Sequence, residues 1–328
     1  MNVIFGAVRE RLSAGLLIAM VALGTIARCA PAAGQTTSPR PAAAQQTTSP
    51  RPAAAQTTSP RPAPAVNAVA TAERDRTSLI AALQKRFPGI PVDEWSHGGA
   101  SFAPGISVTP LGGDNATNVN DILAIGKKGW ERKFRNGKSL AACFPNGGQR
   151  VAATYPQVNA KTNAVVTLEM AINACLQLHG EPLFALDDSL SMGAVSGHLR
   201  SLSIGQKLNV RVSGAPALTQ YAAGRSWFSR RIGDQDLACA SCHVLQAGQV
   251  RVENGRSVGL SAAVGQVLAW PRVEPGGKVR MLHHQFQRCM DRTGAAPFEL
   301  GSTEFGQLEY FLAAISSGLT LRAPITTR

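Results

Sequence analysis

The stretch ACASCHVLQAG, residues 238–248, decides the fold class of this chain. It holds two thiols three positions apart, Cys239 and Cys242, and His243 follows the second thiol directly. The pattern Cys-x-x-Cys-His is typical of c-type haem attachment, because both sulfurs must reach the vinyl groups of one porphyrin and the imidazole then binds its iron. A thioredoxin-like Cys-x-x-Cys needs no histidine, and a zinc site would need two more close ligands. The sequence therefore predicts one covalently bound haem c.

The N-terminus agrees with a haem that is attached outside the cytoplasm. Two arginines, Arg9 and Arg11, precede the apolar run LSAGLLIAMVALGTIA at 12–27. We interpret residues 1–30 as a cleavable signal peptide rather than a membrane span, and we predict a periplasmic protein. A lipidated Cys29 stays open as an alternative, and it is the one feature that would bring the chain to a membrane.

Residues 31–70 are predicted to form a disordered tether. A ten-residue unit with two prolines and no large apolar side chain recurs there, and such a unit cannot form a core. It favours an extended, polyproline-biased chain instead. The copies are TTSPRPAAAQ at 36–45 and 47–56, and TTSPRPAPAV at 57–66.

The charge of the chain is strongly basic, at +13. Residues 1–30 carry +2 of this and residues 31–70 carry +3, which leaves +8 for residues 71–328. Such a balance favours anionic small substrates or acidic protein partners. Nucleic acid is a poor candidate for an exported protein that lacks a basic-aromatic motif.

Residues 71–328 are too many for one small cytochrome, so we predict two domains, 71–180 and 181–328. Apolar residues at helical spacing predict a helix over 71–87 and another from Thr167 to Gly180.

A last helix is predicted over 302–319, with Ser302 as its N-cap and Gly318 at its end. Its apolar residues Leu308, Phe311 and Leu312 are assigned to core packing.

Three further cysteines, Cys143, Cys175 and Cys289, suggest one disulfide and one cysteine left over in an oxidising compartment. Spacing alone does not choose among the three pairings. The haem iron also needs a sixth ligand or an open position. Met281 and Met290 lie 38 and 47 residues after the haem-binding histidine, and Cys289 lies 46 after it. A plain Met-ligated electron carrier therefore stays open on spacing alone.

Three long segments of the chain resemble the SoxA family, the catalytic cytochrome c subunits of the SoxAX complex of periplasmic thiosulfate oxidation. The resemblance implies a mainly α fold with two cytochrome c-like domains, of which the N-terminal one has no haem. The segments are LACASCHVLQAGQVRV (237–252), LHHQFQRCMDRTGAAPFELGSTEFGQLEYFLAAISSGLTLRAP (282–324) and GWERKFRNGKSLAACFPNGGQRVAATYPQVNAKTNAVVTLEMAINACLQLHGEP (129–182).

The same resemblance predicts how the N-terminal half of the chain differs from that of two-haem family members. Two-haem members of the family carry a second Cys-x-x-Cys-His where this chain has LAACFPNGG at 140–148. Here only Cys143 is kept, and Phe144 stands in the place of the haem-binding histidine. The chain is thus similar to the one-haem members, which implies a disulfide between Cys143 and Cys175.

Cys289 matches the active cysteine of the family. In the family, this cysteine is the distal ligand of the haem iron and is commonly a persulfide. The resemblance implies an L-cysteine S-thiosulfotransferase that joins thiosulfate oxidatively to a cysteine of SoxY, held in the carrier complex SoxYZ. Two electrons would leave through haem towards a SoxX-type cytochrome c subunit. The alternative is a plain electron-transfer cytochrome c with a Met-ligated haem.

The sequence departs from the family pattern around Cys289. The family usually carries an arginine four residues before this cysteine and another a few residues after it, where this chain has Gln285 and Gly294. His283 and His284 are interpreted as structural histidines. A guanidinium near the sulfur would hold anionic thiosulfate by charge-assisted hydrogen bonds. The candidates for that role are Arg280, Arg288 and Arg292.

Overall fold

The computed structural model describes residues 67–102, 116–253, 256–274, 277–322 and 325–326. All of them belong to one compact unit, Ala63–Arg328. The predicted signal peptide, Cys29 and the repeats of the predicted tether lie outside the described residues. Helices dominate, as predicted, and in the described part of the chain none is long and apolar enough to cross a membrane. The α-helices are α1 Ala68–Arg86, α2 Ala116–Glu131, α3 Leu168–Leu178, α4 Ala194–Ser201, α5 Gly214–Ser229, α6 Leu282–Arg292 and α7 Thr303–Ile315.

The strands are short and pair mainly as local hairpins. β1 pairs with β2 and β3 pairs with β4, both antiparallel. A three-stranded sheet has the order β6-β5-β7, in which β5 is antiparallel to β6 and parallel to β7. Their bounds are β1 Gln157–Val158, β2 Val165–Val166, β3 Val250–Glu253, β4 Arg256–Gly259, β5 Arg272–Val273, β6 Val279–Arg280 and β7 Ile325–Thr326.

The three helices predicted from the sequence are confirmed, with small shifts at their ends; α1 begins at Ala68, so the last residues of the segment predicted as a tether, 31–70, are helical. Thr167 caps α3, because its side chain accepts a hydrogen bond from the backbone N–H three residues on, and Gly180 follows the helix with φ of 66°. Ser302 caps α7 in the same way, and Gly318 lies beyond its end with φ of 90°. These are the side-chain caps and left-handed glycines by which helices commonly begin and end.

Two helix pairs cross closely, and each crossing depends on a glycine. A Cβ atom at Gly126 of α2 would lie 2.0 Å from the carbonyl oxygen of Ala194 in α4. A Cβ atom at Gly224 of α5 would lie 2.0 Å from the carbonyl oxygen of Gln307 in α7. Only glycine allows backbones to approach this closely. The packing therefore groups α4 with α2, and α5 with α7.

The core around α7 holds the residues that the sequence assigned to it. Leu308, Phe311 and Leu312 are buried, which confirms their assignment to the core. Phe311 contacts two rings of α5, with centroid distances of 5.3 Å to Tyr221 and 5.2 Å to Phe228. Burying such side chains stabilises the fold by roughly 1.5–3 kcal/mol each.

Cys143 and Cys175 are joined by a disulfide with a Cα–Cα distance of 5.9 Å, the pairing that the resemblance implied. It ties a 3₁₀ turn, Leu140–Cys143, to α3. Phe144, the next residue, is buried against Trp130 with ring centroids 5.2 Å apart. An apolar aromatic pair thus fills this part of the N-terminal half.

Candidate functional site

The haem-attachment motif lies on a short helical turn that neighbouring elements hold in place. The turn includes a π-helical stretch, Ser241–Leu245, and the backbone N–H of Ala238 donates to the Ser241 hydroxyl at 3.1 Å. From α1, Arg86 donates to the carbonyl oxygens of Val244 at 2.6 Å and Ala247 at 2.9 Å. A cation on these last carbonyls is favourable at the C-terminal end of a helical turn. The motif is therefore fixed at both ends.

His243 has the protonation state that an iron ligand needs. Its Nδ1 lies 2.9 Å from the carbonyl oxygen of Ser261, which can only accept, so Nδ1 carries the proton and Nε2 keeps its lone pair. Burial lowers the pKa of His243 below its usual value and favours the neutral ring. A partner on the far nitrogen is what orients histidine ligands in metal sites.

Cys239 and Cys242 are free, partly buried thiols on the same turn. Burial, and to a smaller extent the neighbouring sulfurs of Cys289 and Cys242, raise the pKa of Cys239 to about 12. Two reduced cysteines beside a neutral imidazole form the donor set of a covalently bound haem c, and in this structure the Gln266 side-chain amide lies 3.4 Å from Nε2, the atom that would bind the iron. Cys239, Cys242 and His243 therefore fit a covalently bound haem c.

Cys289 lies in the last turns of α6 and reaches the same region. The side-chain amide of Gln285, one turn earlier, donates from Nε2 to the Cys289 sulfur at 3.2 Å. Its sulfur also acts electrostatically on Cys239 of the haem motif. The fold thus brings together two positions that are 50 residues apart in the sequence.

Met281, one of the two methionines considered as an iron ligand, has a different environment. It is buried at the N-terminus of α6 and, with Trp270 and Leu282, lines a small cavity of about 30 Å³. Met290, the other, is half-buried and packs against the hydrophobic core. Both contact the hydrophobic core in this structure, and the identity of the second iron ligand stays a prediction.

The two histidines of α6 have structural contacts. The Nδ1 atom of His283 accepts from the backbone N–H of Gly301 at 3.2 Å, and its Nε2 lies 3.1 Å from a carboxylate oxygen of Glu309. The Nδ1 atom of His284 accepts from the backbone N–H of Met281 at 3.4 Å, which caps the start of the helix.

The predicted arginines occupy different environments. Arg280 forms an ion pair with Glu274, and its Nη1 donates to the Gln285 side-chain oxygen at 3.2 Å. Arg292 is exposed, and its carbonyl oxygen accepts from the side chain of Gln235 at 2.6 Å. Arg288 lies on α6 beside Cys289 and is partly exposed. Arg280 is linked to Cys289 through the two hydrogen bonds of Gln285.

A further arginine, Arg272 on β5, was missed by the sequence reasoning. It lies opposite Arg280 in the β5–β6 hairpin, and its guanidinium stacks over the ring of Trp270 at 4.4 Å. Burial and, to a smaller extent, the charge of Arg280 lower the pKa of Arg272 to about 10, against an opposing effect of Cys289. The turn signal EPGG at 274–277 could have revealed the hairpin that pairs the two arginines.

These side chains define a c-type cytochrome in which a cysteine outside the attachment motif lies in the same site. The comparisons with known proteins agree with this class. The family described as "SoxA/TsdA, cytochrome c domain" matches residues 125–208.

Relatives match over most of the chain. "L-cysteine S-thiosulfotransferase subunit SoxA" of Chlorobaculum tepidum is 31% identical over 273 residues, which cover 80% of this chain and 90% of the relative. The protein of the same name from Allochromatium vinosum is 30% identical over 263 residues, covering 78% and 90%. The chain therefore belongs to the SoxA family.

A solved structure is similar in fold. The structure described as "Crystal structure of SoxXA from P. pantotrophus" aligns with a TM-score of 0.57 and 24% identity. The alignment covers 66% of this chain and 80% of that chain. It supports the mainly α, cytochrome c-type fold described above.

Proposed function

We propose that this protein is the SoxA-type subunit of a periplasmic L-cysteine S-thiosulfotransferase, with thiosulfate and a cysteine of a SoxYZ-type carrier as its substrates. The observation that carries the proposal is the position of Cys289. It lies on α6, takes a hydrogen bond from Gln285, and acts electrostatically on the haem-attachment cysteine Cys239. A plain electron carrier would need no reactive sulfur next to its haem-attachment cysteines.

The reaction is an oxidative joining of two sulfur groups. The S–H bond of the carrier cysteine breaks, and an S–S bond forms between its sulfur and the outer sulfur of thiosulfate. One proton and two electrons leave, and the electrons pass to a SoxX-type cytochrome c subunit as the acceptor. When bound, haem c supplies the one-electron redox chemistry that this transfer requires.

The residues of this chain have separate roles at the haem site. Cys239 and Cys242 would hold one haem c covalently, and His243 would bind its iron through Nε2 while Ser261 keeps the ring oriented. Cys289, as thiolate or persulfide, would be a second protein ligand of the iron. An anionic sulfur ligand favours ferric iron and a low potential. Thiolate-type sulfur is also the nucleophile in exchange at a sulfur centre.

The N-terminal half has a structural role in this proposal. The disulfide between Cys143 and Cys175 and the buried Phe144 replace the packing of a second haem, so one haem is expected per chain. The family match over 125–208 and the contact of α4 with α2 favour a domain boundary between α4 and α5, later than the predicted 180/181. Assignment of substrate binding to Arg288 and Arg292 stays a prediction.

The test replaces the reactive sulfur while the haem site is kept. In Cys289→Met, we expect haem to stay attached, because both attachment cysteines and His243 are unchanged. Thiosulfate-dependent reduction of an acceptor cytochrome should fall by roughly a hundredfold or more, since the reacting group is gone. The neighbouring Met290→Leu is the matched control and should keep its activity. Full activity of Cys289→Met would overturn the proposal.

A further inference from the structure

The β5–β6 hairpin places two arginines directly opposite each other next to the reactive cysteine. Arg272 and Arg280 are partners in the antiparallel pair, so their side chains lie on the same face of the hairpin. Like charges in this arrangement are unfavourable. The pair therefore needs compensation from other groups, and the two arginines differ in how they obtain it.

The charge of Arg280 is compensated by a carboxylate, and its guanidinium also donates a hydrogen bond to a side-chain amide. It pairs with Glu274, and its Nη1 donates to Oε1 of Gln285 at 3.2 Å. Because this bond uses the amide oxygen, the amide NH₂ group points the other way, and it donates to the Cys289 sulfur at 3.2 Å. The guanidinium of Arg280 thus acts on Cys289 through Gln285.

Arg272 is held in place by groups that are themselves uncharged. Its guanidinium stacks on Trp270 at 4.4 Å, and its Nε donates to the Ala269 carbonyl oxygen at 3.3 Å. A Cβ atom at Gly98 would lie 2.8 Å from its Nη2, so this glycine makes room for it. Among the ion pairs of the described ranges, none joins a carboxylate to Arg272. A partly buried cation without a carboxylate counter-ion costs stability, which suggests an anionic ligand.

We propose that Arg272 is the residue that binds the anionic end of the substrate, and that Arg280 is a positioning residue for Gln285. The inference rests on the proposed function, in which thiosulfate is the substrate. The planar guanidinium fork matches two oxygens of a sulfonate group, as it matches a carboxylate or a phosphate. Stacking on Trp270 fixes the fork before the anion binds, which lowers the entropy cost of binding.

The first measurement reads the electrostatic potential at Cys289 without any turnover. In the haem-loaded, reduced protein, Cys289 is alkylated with iodoacetate, an anion, and with neutral iodoacetamide, and the ratio of the two rates is taken. Both reagents attack the thiolate, so the ratio cancels changes in its protonation. We expect the ratio to fall about fivefold or more in Arg272→Gln and to be largely kept in Arg272→Lys.

Arg230 provides a matched control. It also stacks on a tryptophan ring, Trp227, at 4.3 Å, but it is exposed. The ratio should be unchanged in Arg230→Gln. In Arg280→Gln it should change less than in Arg272→Gln, because Glu274 already compensates that charge.

The second measurement is the steady-state kinetics of thiosulfate-dependent cytochrome reduction. Arg272→Gln should raise KM for thiosulfate about tenfold or more, because a charge-assisted contact to the anion is lost. Arg280→Gln should lower kcat with a smaller change in KM, since its role is to position Gln285 and through it Cys289. This split between the two variants is not expected from a merely structural role.

The outcomes separate this inference from the proposed function. If Arg272→Gln keeps both its alkylation ratio and its KM while Cys289→Met is inactive, the role of Arg272 is refuted and the proposed function stands. If Cys289→Met is fully active, the proposed function fails. In that case the alkylation ratio still decides whether Arg272 forms an anion-binding site at Cys289.

Discussion

Loss of the disulfide should destabilise the protein without removing its haem. The bridge between Cys143 and Cys175 closes a loop with a sequence separation of 32 residues. In the loop-entropy model, a loop of this length corresponds to about 3–4 kcal/mol. A domain of this size shifts its Tm by roughly 2 °C per kcal/mol, so the double variant with alanine at both positions should unfold about 7 °C lower.

The loss in free energy of unfolding is measured by urea unfolding followed by far-UV circular dichroism, and the slope m is compared between variants. Cys289→Ala is the matched control, because it removes a sulfur that forms no part of the bridge, and it should shift stability by about 1 kcal/mol or less. Haem content should be equal in all three proteins, since the attachment motif is intact. A double variant with unchanged stability, or with its haem lost, would refute the structural role of the bridge.

Three other substitutions have clear expected results. Cys242→Ala should lower covalently bound haem at least about tenfold by the haemochrome assay, and a full haem content would contradict the attachment motif. Met290→Leu should leave the visible spectrum of the haem unchanged, because Cys289 is the iron ligand that we propose; a changed iron–ligand spectrum would argue for methionine. Asp93→Asn should weaken the dependence of Tm on acid pH. A hydrogen bond from Lys207 at 2.9 Å holds the pKa of Asp93 below its usual value. Its contribution is therefore present above the ordinary aspartate pKa of about 4 and is lost as the pH falls through the lower, folded value. An identical pH profile of Tm in the variant would contradict this.

The sequence predicts those parts of the site that depend on local spacing. Cys239, Cys242 and His243 form a motif whose chemistry requires that spacing, and the structure gives the imidazole the expected tautomer. Helix ends were predictable for a similar reason. Thr167 and Ser302 cap their helices through bonds to residues three positions away, so a short stretch of sequence contains the whole interaction.

The sequence alone could not predict contacts that depend on tertiary packing. Arg272 lies 17 residues before Cys289, and only the β5–β6 hairpin and the start of α6 bring it to the site. Gln285 was noted as a departure from the family pattern, but its bond to the sulfur depends on the position of Arg280. The close crossings at Gly126 and Gly224 likewise involve helices that are far apart in sequence.

Mass spectrometry of the mature, non-reduced protein, with peptide mapping before and after exposure to thiosulfate together with an oxidised acceptor cytochrome, addresses the role of Cys289. The proposed mechanism predicts one haem, on the peptide that contains Cys239 and Cys242, and a bridge between Cys143 and Cys175. It also predicts additional sulfur, derived from thiosulfate or already present as persulfide, on the Cys289 peptide. An unmodified Cys289 in both samples, in a protein that turns over thiosulfate, would contradict sulfur transfer at this residue.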